Sequence, residues 1–524
     1  MQGRNYTLTS ICNARGEKFL LYICNAGQMD QNYIYKSMPS IHEYILDRVT
    51  STRKCHPLLL ALAAVSPAMT AVAEKPVNFV VIYLDDMGMG DLSITGATGY
   101  QTPHIDQMAR EGVRFTHFYS PQAVCSASRA GLLTGCYPNR IGFSGALDHR
   151  AQTGINPEEE TMAEVLKKKN YATAAFGKWH LGHVPEFLPL NHGFDEYFGI
   201  PYSNDMWPNH PVSKNYYPPL PLIEGERTIA ENPDQTQFTT WFTEKTVDFI
   251  NRHRENAFFV YLAHPMPHVP LFVSDKFKGK SEQGLYGDVM MEIDWSVGQV
   301  LKTLDELGLS ENTLVVFTSD NGPWLNYGNH AGSAGGLREG KGTSFEGGQR
   351  VPCIMRWKGI LEEGSICNNL ASAIDILPTL ADIAGAELPS EKIDGVSLLP
   401  LLHGDKEANP RQSFLYYYRR NNLEAVRHGH WKLVFPHPGR TYHGFEPGKD
   451  GLPGGANENF AHEGGLYDLR RDPGEQYNLI EFYPGVVSEL EKIAREARLD
   501  LGDDLTGQPG QNRREPGRIL PNDN

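Results

Sequence analysis

Four apolar runs in this 524-residue chain are each followed at once by side chains able to do chemistry. Asn78–Leu84 (NFVVIYL) runs into Asp85 and Asp86, and Tyr171–Phe176 leads through Gly177 to Lys178 and His180. Ala257–Leu262 leads to His264 and His268, and Thr313–Ser319 (TLVVFTS) leads to Asp320 and Asn321. Asp85, Asp86, Asp320 and Asn321 are hard oxygen donors of the kind that suit Ca²⁺ or Mg²⁺. Singly, each Asp reads as a helix or turn cap. Two adjacent carboxylates at a buried strand end repel each other and call for a cation. Lys178, His180, His268, Arg129 and Lys341, the last within Gly340–Gly348 (GKGTSFEGG), make a second, cationic set. A lone Lys or His is more often a solvated group or a satisfied core residue, but together they describe a pocket for a polyanionic ester. At an effective dielectric of ~20 and a separation of ~4 Å, each contact is worth ~4 kcal/mol before desolvation. Several of them suffice to hold a sulfate or phosphate group.

The elements that must position these groups follow from the same runs. Asn78–Leu84 is continuously apolar and β-branched, as in strands buried on both faces of a parallel sheet. Thr161 and Glu164 have capping-box spacing and open a helix through Leu166. Helices near Thr243–Arg252 and Met291–Leu307 each precede a strand. This alternation predicts an α/β domain with a large, mainly parallel mixed sheet flanked by helices. In such sheets ligands bind beyond the carboxyl ends of the strands, so the four loaded strand ends converge on one crevice. After His403 the pattern changes to short strands, Ser413–Tyr418, Glu424–Arg427, Trp431–Phe435 and Gly465–Leu469, with one helix near Val486–Ala497. The expected organisation is residues 1–73 as an N-terminal extension and signal peptide, 74–405 as the catalytic α/β domain, and 406–524 as a smaller C-terminal α+β domain built on a short antiparallel sheet. The last twenty residues read as a loosely held tail.

Composition narrows the partners. With 40% apolar and 21% charged residues, wholesale disorder is excluded. A net charge of −15 disfavours nucleic acid and anionic membrane surfaces. No apolar stretch reaches the roughly 18 residues of a membrane span, so a multi-span protein is excluded. Arg53 and Lys54, the apolar run Leu58–Val65 and the Ala71-Val72-Ala73 site read as a secretory signal cut after Ala73, which predicts a secreted or periplasmic protein. The residues before it show no usable periodicity, and translation from Met38 or Val49 would remove many of them. Of the seven cysteines, Cys125, Cys136, Cys353 and Cys367 follow the cleavage site. Four do not make a disulfide framework, although a Cys353–Cys367 pair is conceivable.

Cys125 alone is either a buried free cysteine or a thiol nucleophile. Its surroundings, Cys125-Ser-Ala-Ser-Arg129-Ala-Gly-Leu-Leu-Thr-Gly135, resemble the signature C-x-[PA]-S-R-x-x-x-L-T-G of the type I sulfatases of the alkaline phosphatase superfamily. The resemblance continues through Asp85–Asp91, Gly177–Gly182, Pro267–Pro270, Ser319–Gly322 and Gly340–Gly348, and into the small domain at Ala425–Val434 and Leu466–Glu475. It is greatest towards arylsulfatase A and N-acetylgalactosamine-sulfatase relatives.

The resemblance implies conversion of Cys125 to formylglycine, whose hydrate attacks sulfur and then expels sulfate. It implies one Ca²⁺ on Asp85, Asp86, Cys125, Asp320 and Asn321, with Asp320 assisting deprotonation of the attacking hydroxyl. Arg129 would hold the formylglycine, and Lys178 and Lys341 would neutralise the sulfate. His268 with Lys341 would protonate the leaving alcohol, and His180 would serve as base for the elimination. Ala127 stands where the aerobic formylglycine-generating enzyme prefers proline; radical maturases of the family accept alanine. The expected substrate is an aryl sulfate or a sulfated glycan, with galactose or N-acetylgalactosamine favoured. Two alternatives are a phosphate or phosphonate monoester hydrolase of the same superfamily and an inactive sugar-binding relative with an unmodified Cys125. Trp324, Asn326 and His330, and in the long connection Pro436–Gly464 His437, Arg440 and Tyr442, are candidate substrate contacts.

Overall fold

The computed structural model describes residues 6–12, 18–24 and 75–519. Strands Tyr6–Cys12 and Lys18–Cys24 pair as an antiparallel hairpin, an element the uneven pattern of that stretch did not reveal. The segment 53–73, expected to be a secretory signal, lies outside the described residues. Lys75–Asn524 form one compact unit.

The centre of that unit is a ten-stranded mixed sheet. Its strands in chain order are β1 Asn78–Leu84, β2 Val113–Tyr119, β3 Ala172–Lys178, β4 Glu196–Ile200, β5 Pro221–Glu224, β6 Arg227–Glu231, β7 Phe258–Ala263, β8 Thr313–Ser319, β9 Cys353–Arg356 and β10 Ser365–Ser372. The spatial order is β10-β2-β9-β8-β1-β7-β3-β4-β5-β6. The neighbours β8, β1, β7, β3 and β4 run parallel to one another. Every residue of β1 is buried. Phe79, Val81 and Tyr83 enter the core on one face, and Val80, Ile82 and Leu84 the core on the other. A strand covered on both sides needs apolar residues at every position, which explains the unbroken run. Helices Phe238–Arg252 and Leu285–Glu306 pack on the second face. Met162–Lys167, with Thr161 as its cap, packs on the first with Ile376–Ala384.

Strands β11 Ser413–Tyr418, β12 Asn422–His428, β13 Trp431–Val434 and β16 Gly465–Asp468 form a four-stranded antiparallel sheet, covered by helix Pro484–Leu501. Tyr119, Tyr137 and Phe345 of the preceding region share its core, so the two sheets are joined by apolar packing. A hairpin of β14 His437–Thr441 and β15 Asn457–His462 occupies the long connection.

Two expectations are corrected. The described part of the C-terminal segment, up to residue 519, is not loose: Gly517–Arg518 pairs with Thr153–Gly154, and Arg514 holds the Glu159 carboxylate at 2.6 and 2.8 Å. Cys353 and Cys367 are both free. Both are in register with Phe115, on opposite sides of β2. Two strand spacings separate them, roughly 9–10 Å, beyond the reach of a disulfide.

Candidate active site

The carboxyl ends of β8, β1, β7 and β3 finish nearly level, with Ser319 opposite Leu84 and Ala263 opposite both Tyr83 and Gly177. That alignment brings the predicted polar residues together. Gly177 has φ +117, and a Cβ there would lie 1.9 Å from the Ala263 carbonyl oxygen, so the turn into Lys178 and His180 requires glycine. Asp86 (φ +67) and His180 (φ +60) adopt left-handed backbone conformations, a strain that the surrounding packing must sustain.

Cys125 opens helix α1, Cys125–Thr134, all ten residues of which are buried. Small residues permit this: a Cβ on Gly131 would lie 2.6 Å from Pro121. The positive end of the helix dipole therefore falls at residue 125. Arg129, one turn on, donates to Asp320 Oδ2 at 2.7 Å and lies 3.5 Å from Asp85 Oδ2. It also donates to the Lys178 carbonyl at 3.2 Å. Lys178 Nζ donates to Asp85 Oδ2 at 2.5 Å and Ser203 Oγ at 3.1 Å. Lys341 Nζ lies 2.7 Å from Asp86 Oδ1, and Asn321 Nδ2 donates to the same oxygen at 2.7 Å. His268 Nε2 stands 3.6 Å from Asp86 Oδ2. A cavity of about 230 Å³ is walled by Cys125, His180, Ser203, His268, Trp324 and Lys341.

The buried charges are mutually dependent. Burial opposes ionisation of Asp85, yet Lys178, His268, Arg129 and Lys341 hold it well below the usual carboxylate range. Among the side chains alone, burial and then repulsion from Asp85 push Asp320 up to about 8, against the pull of Arg129. A cation between these groups reverses that repulsion. The donor set fits one: Asp85 Oδ1 and Asn321 Oδ1 are buried without hydrogen-bond partners among the described residues. Asp85, Asp86 and His268 each offer an atom within 4.8 Å of the others.

Burial raises the Cys125 thiol above its ordinary range despite Lys178 and Lys341. It is a neutral group and a weak nucleophile as it stands. Burial, reinforced by Lys178, holds His180 well below the ordinary imidazole range. The neutral ring donates from Nε2 to the Leu147 carbonyl at 2.8 Å, leaving a buried Nδ1 with no hydrogen-bond partner among the described residues. His268 is lowered by burial and Lys341, with Asp86 opposing; its Nδ1–H donates to the Val269 carbonyl, so Nε2 carries the lone pair.

Several expected contacts are sorted by the structure. Trp324 and Arg440 wall the cavity. Tyr442 stands behind, donating to the Lys341 carbonyl at 2.5 Å. Asn326 accepts the Gly448 and Gly454 amides and braces a loop, and His330 stands beside Gly451. His437 packs against His462, 3.4 Å from Glu424. His264 turns away and hydrogen bonds Ser296 Oγ at 2.9 Å. Ser203 and Asp205 were missed, although β4 is parallel to β3 and the same strand-end rule leads from Ile200 to both. Tyr418, at the end of β11, carried no such signal.

Comparison with known proteins agrees with this geometry. The family model described as Sulfatase matches residues 77–386. A model for the C-terminal region of aryl-sulfatase matches 409–513, and the N-sulphoglucosamine sulphohydrolase C-terminal model matches 340–434. N-acetylgalactosamine-6-sulfatase of Mus musculus is 39% identical over 485 residues, covering 87% of this chain and 92% of that protein. Arylsulfatase A of Homo sapiens is 39% identical over 466 residues, covering 84% and 90%. The crystal structure of the PsFucS1 sulfatase from Pseudoalteromonas superposes with a TM-score of 0.72 at 28% identity, over 80% of this chain and 90% of that one. The loaded strand ends, the cysteine-led helix and these matches together establish that the chain belongs to the sulfatase family and is a sulfuric ester hydrolase.

Proposed function

We propose that this chain removes sulfate from a galactose or N-acetylgalactosamine residue at the end of a glycan, with Cys125 matured to formylglycine and one Ca²⁺ held by Asp85, Asp86, Asp320, Asn321 and residue 125. The observation that carries this reading is the meeting of Cys125, His180, His268 and Lys341 on one cavity, where His268 and Lys341 also reach Asp86. The hydrate of formylglycine would supply a hydroxyl nucleophile, and a cation held there would lower its pKa.

The chain's own residues do the rest. Arg129 holds the Asp320 and Asp85 carboxylates in place from the first turns of α1. Lys341 on the cavity wall, with the helix terminus, offsets the charge of the sulfate group, and Lys178 adds to this from behind the wall, where it pairs with Asp85. The free Nδ1 of His180 accepts a proton from residue 125. An anionic ester beside His268 favours its protonated ring, which, aided by Lys341, gives a proton to the leaving alcohol.

Two features support a single terminal sugar as the substrate. The mouse relative is named for N-acetylgalactosamine. The cavity of about 230 Å³ is smaller than the roughly 300–1,000 Å³ typical of sites for larger ligands. Turnover of a panel of sulfated monosaccharides differing only in sulfate position tests the reading, and activity on aryl sulfates alone would overturn the sugar assignment. Maturation is assigned to a radical maturase or a formylglycine-generating enzyme, distinguishable by co-expression with each. Export with cleavage after Ala73 is checked by N-terminal sequencing of the secreted or periplasmic protein.

A further inference from the structure

We infer that Asp205 and Arg440 determine specificity by reading the hydroxyls of the alcohol half of the substrate, Asp205 as acceptor and Arg440 as donor. This rests on the carbohydrate reading above and deepens it. The two residues come from distant parts of the chain, Asp205 just beyond β4 and Arg440 from β14 of the small-domain hairpin, yet both wall the cavity that contains Cys125.

Asp205 is out of place in a pocket for anions. A carboxylate ~4 Å from the sulfate would oppose binding by ~4 kcal/mol at an effective dielectric of ~20. No lysine or arginine neutralises it among the described residues; its ion-pair neighbour is His210, with Nε2 4.0 Å from Oδ2. Its other oxygen, Oδ1, is buried with no hydrogen-bond partner among the described residues. A buried acceptor left unpaired is costly. Neutral donors, the hydroxyls of a sugar ring, satisfy it, and an aryl ring does not.

Arg440 is held rigidly for the complementary task. Nε donates to Glu458 at 2.9 Å, and NH1 donates to the Lys341 carbonyl at 3.3 Å and to Tyr442 Oη at 3.1 Å. NH2 has no hydrogen bond among the described residues. The guanidinium rests on the turn after Lys341: a Cβ on Gly342 (φ +80) would lie 2.7 Å from NH1. The hairpin is tied down by Thr441 Oγ1 donating to Glu339 at 2.5 Å and by His462 Nε2 donating to the Arg440 carbonyl at 3.1 Å. Because Arg440 is fixed to the backbone of Lys341, the hydroxyl-reading donor keeps a constant offset from the sulfate-binding cation.

The test compares wild type, Asp205→Asn and Arg440→Gln on three substrates: a monosulfated N-acetylgalactosamine or galactose that wild type turns over, 4-nitrophenyl sulfate, and the same sugar carrying a second sulfate on a neighbouring carbon. Each variant is expected to lower kcat/KM for the monosulfated sugar, relative to the aryl sulfate, by roughly tenfold or more, chiefly through KM. Asp205→Asn is also expected to raise the rate on the disulfated sugar relative to the monosulfated one, because it removes a repulsion. Ratios within twofold of wild type, in variants with native melting temperatures, overturn the inference. If one variant fails to fold, the other decides the outcome by the same ratio. Wild type that cleaves aryl sulfate but neither sulfated sugar instead overturns the underlying carbohydrate reading.

Discussion

Arg129 bridges two strand ends from behind, 2.7 Å from Asp320 and 3.5 Å from Asp85, with all three side chains fully buried. The arginine therefore neutralises the acids rather than lining the cavity. Arg129→Ala leaves the buried Asp320 carboxylate without its ion-pair partner, and Asp85 with Lys178 alone, and is expected to cost about 3–5 kcal/mol of stability. Denaturant unfolding measures this. A loss below about 1 kcal/mol would show that the pairing is dispensable.

Cation removal should be visible in the same observable. Asp85 Oδ1 and Asn321 Oδ1 have no hydrogen-bond partner among the described residues, and a bound Ca²⁺ would pair with both and relieve the repulsion between Asp85 and Asp320. Ligand present at a hundred times its dissociation constant adds about 2.7 kcal/mol to the folded state. Melting with Ca²⁺ and after treatment with a chelator should differ by several degrees in wild type. The difference should shrink in Asp85→Asn. An identical melting curve in both buffers counts against the site.

For the nucleophile, digestion and mass spectrometry of wild type should find residue 125 as an aldehyde in the active fraction. Cys125→Ala should abolish sulfatase turnover, since the remaining cavity side chains have no replacement nucleophile at that position. His180→Ala should lower kcat by about 10²–10⁴, with a smaller change in KM. Full activity in Cys125→Ala sinks the proposed chemistry.

Acid sensitivity can be assigned to a clamp between the C-terminal helix and the large sheet's surroundings. Asp500, partly buried, is held below the ordinary carboxylate range: burial works against this, and Arg140, Lys392 and Asn512 outweigh it. Because its pKa is lower in the folded than in the unfolded chain, its stabilisation is present above the unfolded value near pH 4 and is lost as pH falls through the folded value. Asp500→Asn should cost about 1 kcal/mol at pH 7, a figure limited by solvent screening, and distinctly less at pH 2, where the unfolded carboxyl is protonated while the folded one is still largely ionised. Unfolding titrations at both pH values check the sign.

Much of this arrangement was legible without coordinates. Asn78–Leu84 and Thr313–Ser319 had to be doubly covered strands because their central residues, Phe79–Leu84 and Leu314–Phe317, are continuously apolar. Their ends therefore had to carry Asp85, Asp86, Asp320 and Asn321 to one rim. Thr161 and Glu164 marked a helix start through local hydrogen bonding alone. Ser203 and Asp205 obey the same rule but follow the short strand Glu196–Ile200, whose parallel pairing with Ala172–Lys178 no local pattern discloses. The C-terminal segment read as loose because its anchors, Glu159 and Thr153–Gly154, are more than three hundred residues away in sequence.

The amino-acid order by itself determined the kind of chemistry: a cysteine-led helix, paired acids and a set of cations, each written into a short segment whose periodicity fixes its own backbone. Tertiary structure alone decided which cations reach the cavity. Arg129 and Lys178 face the carboxylates, whereas Lys341 and Arg440 share one wall. It also kept Cys353 and Cys367 apart by placing one strand between them. The physical reason is that side-chain type follows from local sequence, while distance between segments depends on strand order and register, which long-range packing sets.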